Sequence, residues 1–219
     1  VATLTLDDAK TLNAMHHGMT AELKDAVRRA EADDRVGAIV LVGAGRAFSA
    51  GGDTNMMGRG MRLPPLEIKK FVAAEFSGLV RAITECPKPV IAAVHGPAVG
   101  FAFFVVLACD LIVASEKAVF NTMYARIALV PLGVGWVFAR QLGHQRAFEL
   151  CAFADHISAQ QAKDLGFVNT VAPGEREGAL GVAQRYAARL AAGPANALAL
   201  TKRMLRAAPT ESLEAHAAA

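Results

Sequence analysis

The stretch KPVIAAVHGPAVG, residues 88–100, decides how this chain folds. Pro87, directly before this stretch, and Pro89 within it end any preceding helix, because the residue before a proline avoids the helical region of φ/ψ space. The apolar run Val90–Val94 then predicts a buried strand, and Gly96, Pro97 and Gly100 turn the chain sharply. A turn of this kind leaves backbone N–H groups without partners and directed into a cleft.

A second stretch of the same type lies earlier in the chain. The turn FSAGGD, residues 48–53, follows the β-branched run RVGAIVLV, residues 35–42. Two N–H groups from separate turns can hold one developing oxyanion, which is usually the largest single contribution to catalysis in acyl chemistry. The two turns therefore indicate a site that polarises a carbonyl group.

The composition predicts one α/β domain and excludes several classes of function. Hydrophobic residues make up 53% of the 219 residues, which indicates a large core, a buried subunit interface, or both. The net charge is only +3 and no basic block is present, so we expect no nucleic-acid partner. No run of about 18 apolar residues lacks charge, so we expect no membrane span.

We divide the chain into a core, residues 1–192, and the start of a C-terminal helical region, residues 193–219, that continues in the full protein.

The cysteines and histidines argue against a metal centre. The three cysteines are widely spaced and odd in number, which disfavours a disulfide framework and a zinc site and favours a reducing, cytoplasmic location. His16 and His17 are adjacent, whereas metal-binding pairs on a helix need a spacing of four residues.

Strands alternate with helices along the chain, which predicts parallel pairing. We predict strands at residues 3–6, 35–42, 90–94, 111–114 and 119–120. The predicted helices cover residues 66–84, 101–108, 135–142, 147–153, 158–165, 179–192 and 195–205, with one more beginning at Thr11 and a loop over residues 53–66.

The order of these motifs resembles the crotonase, or enoyl-CoA hydratase/isomerase, superfamily. After the two glycine turns come a buried helix ending in ACD, residues 108–110, and a VPLG turn, residues 130–133. LDDAKTLNAM at residues 6–15, and RAFEL, ISAQQA and LGFV between residues 146 and 168, also match that family. The resemblance covers nearly the whole chain and lies nearest to the isomerase-like branch.

The resemblance implies a spiral of ββα units with a helical C-terminal part that forms a homotrimer or a hexamer. It also implies an acyl-CoA substrate, and no cofactor beyond the coenzyme A of that substrate. The oxyanion donors would be the N–H groups of Gly52 and Phe101, and the coenzyme would lie against the first turn. The implied substrate-binding residues are Lys10, Ala50, Gly51, Asp53, Thr54, Phe104, Leu132 and Trp136.

This chain lacks the acidic residues that members of the family use in catalysis. Hydratases of the family carry glutamates where this chain has Phe104 and Tyr124, and isomerases can carry a carboxylate where it has Leu132. General acid–base catalysis contributes about 10²–10⁴-fold, so ordinary hydration should be weak. Tyr124 is the remaining catalytic candidate, because its hydroxyl can donate a proton or hold a water; it is equally suited to a half-buried wall.

Three interpretations of function therefore stay open. One is an enzyme that stabilises a thioester enolate, and the second is a non-catalytic acyl-CoA-binding or structural paralogue. The third is a decarboxylase or C–C hydrolase, which needs the oxyanion donors more than paired acids. Among the other polar residues, we expect His95 and Asp110 to hold backbone groups, and Arg140 and His144 to lie on a solvated or interface face.

Overall fold

The computed structural model describes residues 1–53, 64, 66–67, 70, 76–131 and 133–209. Its centre is a five-stranded parallel sheet with the strand order β1-β2-β3-β5-β8. The strands are β1 (Ala2–Leu6), β2 (Ile39–Gly43), β3 (Val90–Val94), β5 (Leu111–Ser115) and β8 (Thr170–Ala172).

A second, three-stranded sheet begins directly after β3. It consists of β4 (Pro97–Val99), β6 (Val119–Asn121) and β7 (Ile157–Ser158), in the order β4-β6-β7. β6 is parallel to β4 and antiparallel to β7. The Gly96 turn therefore passes the chain from one sheet to the other.

The helices surround these sheets, and two short 3-10 turns complete the described elements. The helices are α1 (His17–Ala32), α2 (Gly78–Glu85), α3 (Phe101–Ala108), α4 (Val134–Leu142), α5 (His144–Phe153), α6 (Ala159–Asp164), α7 (Arg176–Ala191) and α8 (Ala195–Ala207). The 3-10 turns are Ala9–Thr11 and Tyr124–Ile127. No helix in the described part of the chain is long and apolar enough to cross a membrane.

The large sheet is covered on both faces, which explains its continuous apolar strands. On one face α7 presents Ala179, Ala183 and Ala187, all fully buried and spaced by one helical turn, so the helix packs closely on the sheet. On the other face α3 is apolar all round and seven of its eight residues are buried. A helix of that composition forms the interior of a domain.

Phe103 of α3 packs against three aromatic rings, from the small sheet, from α4 and from the segment before β8. Its ring centroid lies 5.1 Å from that of Phe120, 5.5 Å from Phe138 and 5.4 Å from Phe167. Each fully buried phenylalanine contributes about 1.5–3 kcal/mol through removal of apolar surface from water. This packing holds the first turn of α3 in a fixed position.

Two predicted element starts are wrong by four residues or more. The helix expected from Thr11 begins at His17, because Leu12 and Asn13 have left-handed φ angles of 56° and 57°. Met15 instead forms an isolated parallel bridge with Gly52. The strand expected from residue 35 begins at Ile39, since Asp33 holds the preceding residues in a turn.

Most of the other predicted elements are confirmed. The strand Val90–Val94 and the helix Phe101–Ala108 agree with the prediction at both ends, and Ser158 and Gln161 form the expected capping box. Helices α5 and α7 each begin three residues before their predicted starts. The predicted loop at residues 53–66 and the first half of the helix at 66–84 fall almost entirely outside the described residues.

Candidate functional site

Asn13 forms hydrogen bonds to the loop that leads into the first glycine turn. This side chain is fully buried, and its amide nitrogen donates to the carbonyl oxygens of Ala44, Ala47 and Phe48 at 2.9, 2.9 and 3.1 Å. The left-handed backbone of Asn13, a conformation that asparagine tolerates, aims the amide at these three carbonyls. Asn13 therefore fixes the shape of the loop that leads into the turn.

Ser49 joins the two glycine turns. Its N–H donates to the carbonyl of Pro97 at 3.0 Å, and its own carbonyl accepts the N–H of Val99 at 3.2 Å. Its hydroxyl donates to the carbonyl of Asn13 at 2.7 Å and accepts the N–H of Gly51 at 3.1 Å. One buried serine thus connects both turns with the segment before α1.

Gly51 lies where the two turns meet. Its φ is +95°, and a Cβ at this position would collide with the carbonyl oxygen of Val99 and lie 3.7 Å from the amide nitrogen of Phe101. Because a Cβ lies within about 3.8 Å of the next amide nitrogen, the nitrogens of Gly52 and Phe101 are at most about 7.5 Å apart. The structure therefore places the two predicted donors on adjoining turns.

Both of these N–H groups lack a hydrogen-bond acceptor among the described residues. In the parallel bridge between Gly52 and Met15, the Gly51 carbonyl accepts the Met15 N–H at 2.7 Å, so the Gly52 N–H faces away from that bridge. Phe101 is the first residue of α3, where an N–H has no partner within the helix. The positive end of the helix dipole adds to the attraction for an anionic oxygen.

Phe104 lies one helical turn after Phe101. Its half-buried ring packs directly on the backbone of Gly133, and its centroid lies 6.5 Å from that of Phe101 in an edge-on arrangement. The structure thus places an aromatic ring, not an acid, beside the predicted donors. Leu132, the third predicted position, lies outside the described residues.

Tyr124 is almost fully buried, with 7% of its surface exposed, on the second 3-10 turn. Burial raises the pKa of its phenol above the usual value, and the neighbouring Cys151 thiol adds to this effect. The phenol is therefore neutral near pH 7 and keeps a proton that it can donate. A buried side chain of this kind also serves as a wall, so the predicted catalytic role of Tyr124 stays a prediction.

The remaining predicted substrate-binding residues are distributed unevenly. Ala50 is exposed on the first turn, and its N–H donates to the Leu12 carbonyl at 2.9 Å, so the segment that carries Lys10 lies against this turn. Lys10 itself is exposed, and Asp53 is half-buried. Thr54 lies outside the described residues.

Trp136 does not lie against the turns. It is 64% exposed on α4, and the guanidinium carbon of Arg140 lies 4.8 Å from its ring centroid. Trp136 and Phe104 both line a separate cleft between helices. Its predicted contact with substrate therefore depends on whether the substrate enters that cleft.

The expectations for His95 and Asp110 are confirmed. His95 Nε2 lies 3.0 Å from the Gly45 carbonyl oxygen, and burial lowers the pKa of its imidazole. Asp110 accepts the N–H of Val90 at 2.8 Å. Among the described residues, no cluster of three or more His, Cys, Asp or Glu side chains is arranged to hold a metal ion.

Sequence reasoning missed Asn13 and Ser49 as organisers of the site. Both stand inside motifs that were recognised, LDDAKTLNAM and FSAGGD. The available signal is that a polar residue within an apolar, glycine-rich context must find hydrogen-bond partners once it is buried. Which partners it finds depends on chain segments about 35 residues apart.

Comparisons with known proteins agree on one family. The family model described as enoyl-CoA hydratase/isomerase matches residues 1–219. The chain is 33% identical over 215 residues to 1,2-epoxyphenylacetyl-CoA isomerase of Escherichia coli (strain K12), covering 98% of this chain and 81% of that protein. It is 36% identical over 222 residues to a "Probable enoyl-CoA hydratase" of Rhodobacter capsulatus, covering 100% of this chain and 82% of that protein.

A solved structure gives the same result for the fold. The crystal structure of an enoyl-CoA hydratase from Polaromonas sp. JS666 superposes with a TM-score of 0.91 at 36% identity, covering 99% of this chain and 83% of that one. The α/β fold with a parallel sheet is therefore the crotonase fold that the motif order predicts.

Proposed function

This chain belongs to the enoyl-CoA hydratase/isomerase family, and on that premise we propose that it binds a coenzyme A thioester and stabilises the enolate of that thioester. The N–H groups of Gly52 and Phe101 donate to the thioester oxygen. The observation that carries this proposal is the closeness of the two turns: a Cβ built on Gly51 would lie 3.7 Å from the Phe101 amide nitrogen. Both N–H groups also lack acceptors in the described part of the chain.

The chemistry follows from where charge develops. When the α-carbon of a thioester loses a proton, or a bond to a carboxylate or acyl group, negative charge moves to the carbonyl oxygen. Two oriented N–H donors at the positive end of α3 stabilise that charge without rearrangement during the reaction. No cofactor beyond the coenzyme A of the substrate is needed for this step.

Ordinary hydration is not the activity that we propose. Phe104 fills the space against Gly133 where a carboxylate would have to deliver a proton to or from water. The phenol of Tyr124 is protonated near pH 7, and burial raises its pKa further. It can therefore donate a hydrogen bond to developing charge but is a weak acid, and it is not a base. These residues favour loss of a carboxylate from the α-carbon, which releases CO₂ and forms the enolate without a base, over addition of water, which needs one.

An enolate probe tests the proposal without requiring turnover. Acetoacetyl-CoA ionises to an enolate that absorbs in the ultraviolet, and a protein that stabilises this enolate lowers its apparent pKa. Phe101→Pro removes one donor, at the first position of a helix where proline is tolerated. Phe101→Leu removes the same ring and keeps the N–H.

We expect Phe101→Leu to retain the absorbance of bound enolate and Phe101→Pro to lose it, with both variants still binding coenzyme A. Equal absorbance in the two variants, or none in the parent protein, contradicts the role of the Phe101 N–H.

A non-catalytic acyl-CoA-binding protein is the second candidate, and the replacement of an acid by the packed ring of Phe104 favours it. Steady-state turnover of a panel of enoyl-CoA and malonyl-type thioesters separates the two candidates. Product formation from any of these thioesters, at a rate that falls in Phe101→Pro, excludes the second candidate.

We also propose self-association as a trimer or hexamer, which the exposure of Phe148 and Phe153 on α5 supports.

A further inference from the structure

A cleft of about 1100 Å³ lies between α2, α3, α4 and α8. It begins at Phe104, one turn from the Phe101 N–H, and follows α3 past Leu107 to Ala108. Its walls are mainly apolar and include Val80, Val137 and Leu200. Phe104, whose ring centroid lies 6.5 Å from that of Phe101, therefore connects this cleft with the helix end that carries the predicted Phe101 donor.

The size of this cleft argues against a short acyl group. Pockets for ligands of drug size measure about 300–1,000 Å³, so a four-carbon group would leave most of the volume empty. The axis of α3 from Phe101 to Ala108 is about 10 Å long at a rise of 1.5 Å per residue, which an extended chain of about eight carbons spans.

The charges along the cleft are mostly positive. Glu85 is the carboxylate among the lining residues, and it is paired at 2.9 Å with Arg81, which does not line the cleft. Lys202 and Arg206 both bind Asp110, each at 2.8 Å, so one carboxylate serves two cations. The charged lining residues are Glu85, Arg140, Lys202, Arg203 and Arg206.

Arg140 is a lining cation for which the described residues offer no carboxylate partner. Its guanidinium stacks on Trp136 at 4.8 Å, which orders the side chain and leaves its N–H groups available. A planar guanidinium held in this way suits a carboxylate, because it can donate two parallel hydrogen bonds.

We propose that this cleft receives the acyl group of the substrate, and that this group is apolar, about eight carbons long, and ends in a carboxylate bound by Arg140. The inference rests on the proposed function, because it takes the thioester carbonyl to lie at Gly52 and Phe101. To the proposed function the inference adds a substrate class, namely coenzyme A thioesters of dicarboxylic acids.

Calorimetric titration with four probes tests this inference: free coenzyme A, butyryl-CoA, octanoyl-CoA and suberyl-CoA, whose eight-carbon acyl group ends in a carboxylate. We expect suberyl-CoA to bind at least tenfold more tightly than butyryl-CoA. Arg140→Met should weaken suberyl-CoA about tenfold and leave octanoyl-CoA unchanged. Arg189→Met removes the same charge from α7, on the far face of the sheet, and should change neither.

A second variant tests the cleft independently of the charge. Ala199 lines the wall formed by α8, and Ala199→Trp should fill the cleft and weaken octanoyl-CoA and suberyl-CoA while butyryl-CoA binds as before. Unchanged binding of the long thioesters in this variant overturns the inference.

The remaining outcomes are distinct. If Arg140→Met weakens all four probes equally, Arg140 contacts the coenzyme and the inference is wrong. If the variant changes only the oligomeric state, the cleft is a subunit interface and the inference is again wrong. If no probe binds the parent protein, the proposed function itself fails.

Discussion

Gly51 packs so closely on the carbonyl oxygen of Val99 that a Cβ cannot be accommodated, and this contact sets the distance between the two glycine turns. Gly51→Ala should therefore move the Gly52 and Phe101 N–H groups apart. We expect enolate stabilisation to fall about 10²–10³-fold, which is the usual effect of losing one oxyanion donor. The absorbance of bound acetoacetyl-CoA measures this directly.

Gly166→Ala is the matched control for that variant. Gly166 has a similar φ of +89°, but nothing lies within 4 Å of its Cβ position. Both variants carry the left-handed penalty of about 1–2 kcal/mol, and only Gly51→Ala should lose enolate binding. Equal losses in the two variants would assign the effect to backbone strain.

Ser49→Ala should cost about 1–3 kcal/mol of stability, because it leaves the Asn13 carbonyl and the Gly51 N–H without their buried partner. Enolate stabilisation should fall as well, since the first turn loses its connection. Ser158→Ala removes a helix N-cap and should cost about 1 kcal/mol with no effect on the enolate. Chemical denaturation measures the change in stability, and the absorbance of bound acetoacetyl-CoA measures the change in enolate stabilisation.

Phe104→Glu should create hydratase activity, because it places a carboxylate one turn from the Phe101 N–H. The expected gain in hydration of crotonyl-CoA is about 10²-fold or more. Phe104→Gln has the same shape and cannot transfer a proton, so it should show no gain. No increase in Phe104→Glu, with its fold intact by circular dichroism, would mean that the surrounding residues do not position a water.

The neutral state of His95 predicts a pH dependence of stability. Burial and Arg176 lower the pKa of this imidazole from its usual value of 6.5, so the unfolded chain binds more protons than the native one at mildly acidic pH. The His95 contribution is fully present above about pH 6.5 and is lost as pH falls through 6.5 towards the native pKa. The free energy of unfolding should decrease less between pH 7 and pH 5 in His95→Gln than in the parent. A parallel decrease in the two proteins would contradict this assignment.

Asp110 holds α8 to the rest of the molecule. α8 has no fully buried residue, and it is attached through Lys202 and Arg206, which bind Asp110 and the carbonyls of Ile83 and Ala108. Asp110→Ala should cost about 3 kcal/mol by leaving the largely enclosed ammonium group of Lys202 without a carboxylate, and limited proteolysis should then cut near α8. Asp155→Ala breaks an exposed pair with Arg126 and should cost less than about 1 kcal/mol.

The sequence by itself determined the fold, the two turns and the loss of the acids. Continuous β-branched runs, prolines before Val90 and an apolar helix after Gly100 are local signals, and each acts within a few residues. Such signals locate the two turns, and the family resemblance then points to Gly52, Phe101 and Phe104 beside them.

The tertiary structure alone decided how those residues come together. The Gly51–Val99 contact, the links through Ser49 and Asn13, and the cleft that ends at α8 join segments 35 to about 100 residues apart. No periodicity reports such contacts, because they depend on how helices and sheets pack. The same reason explains the early part of α1, where pairing of Met15 with Gly52 replaced the helix that local propensity favours.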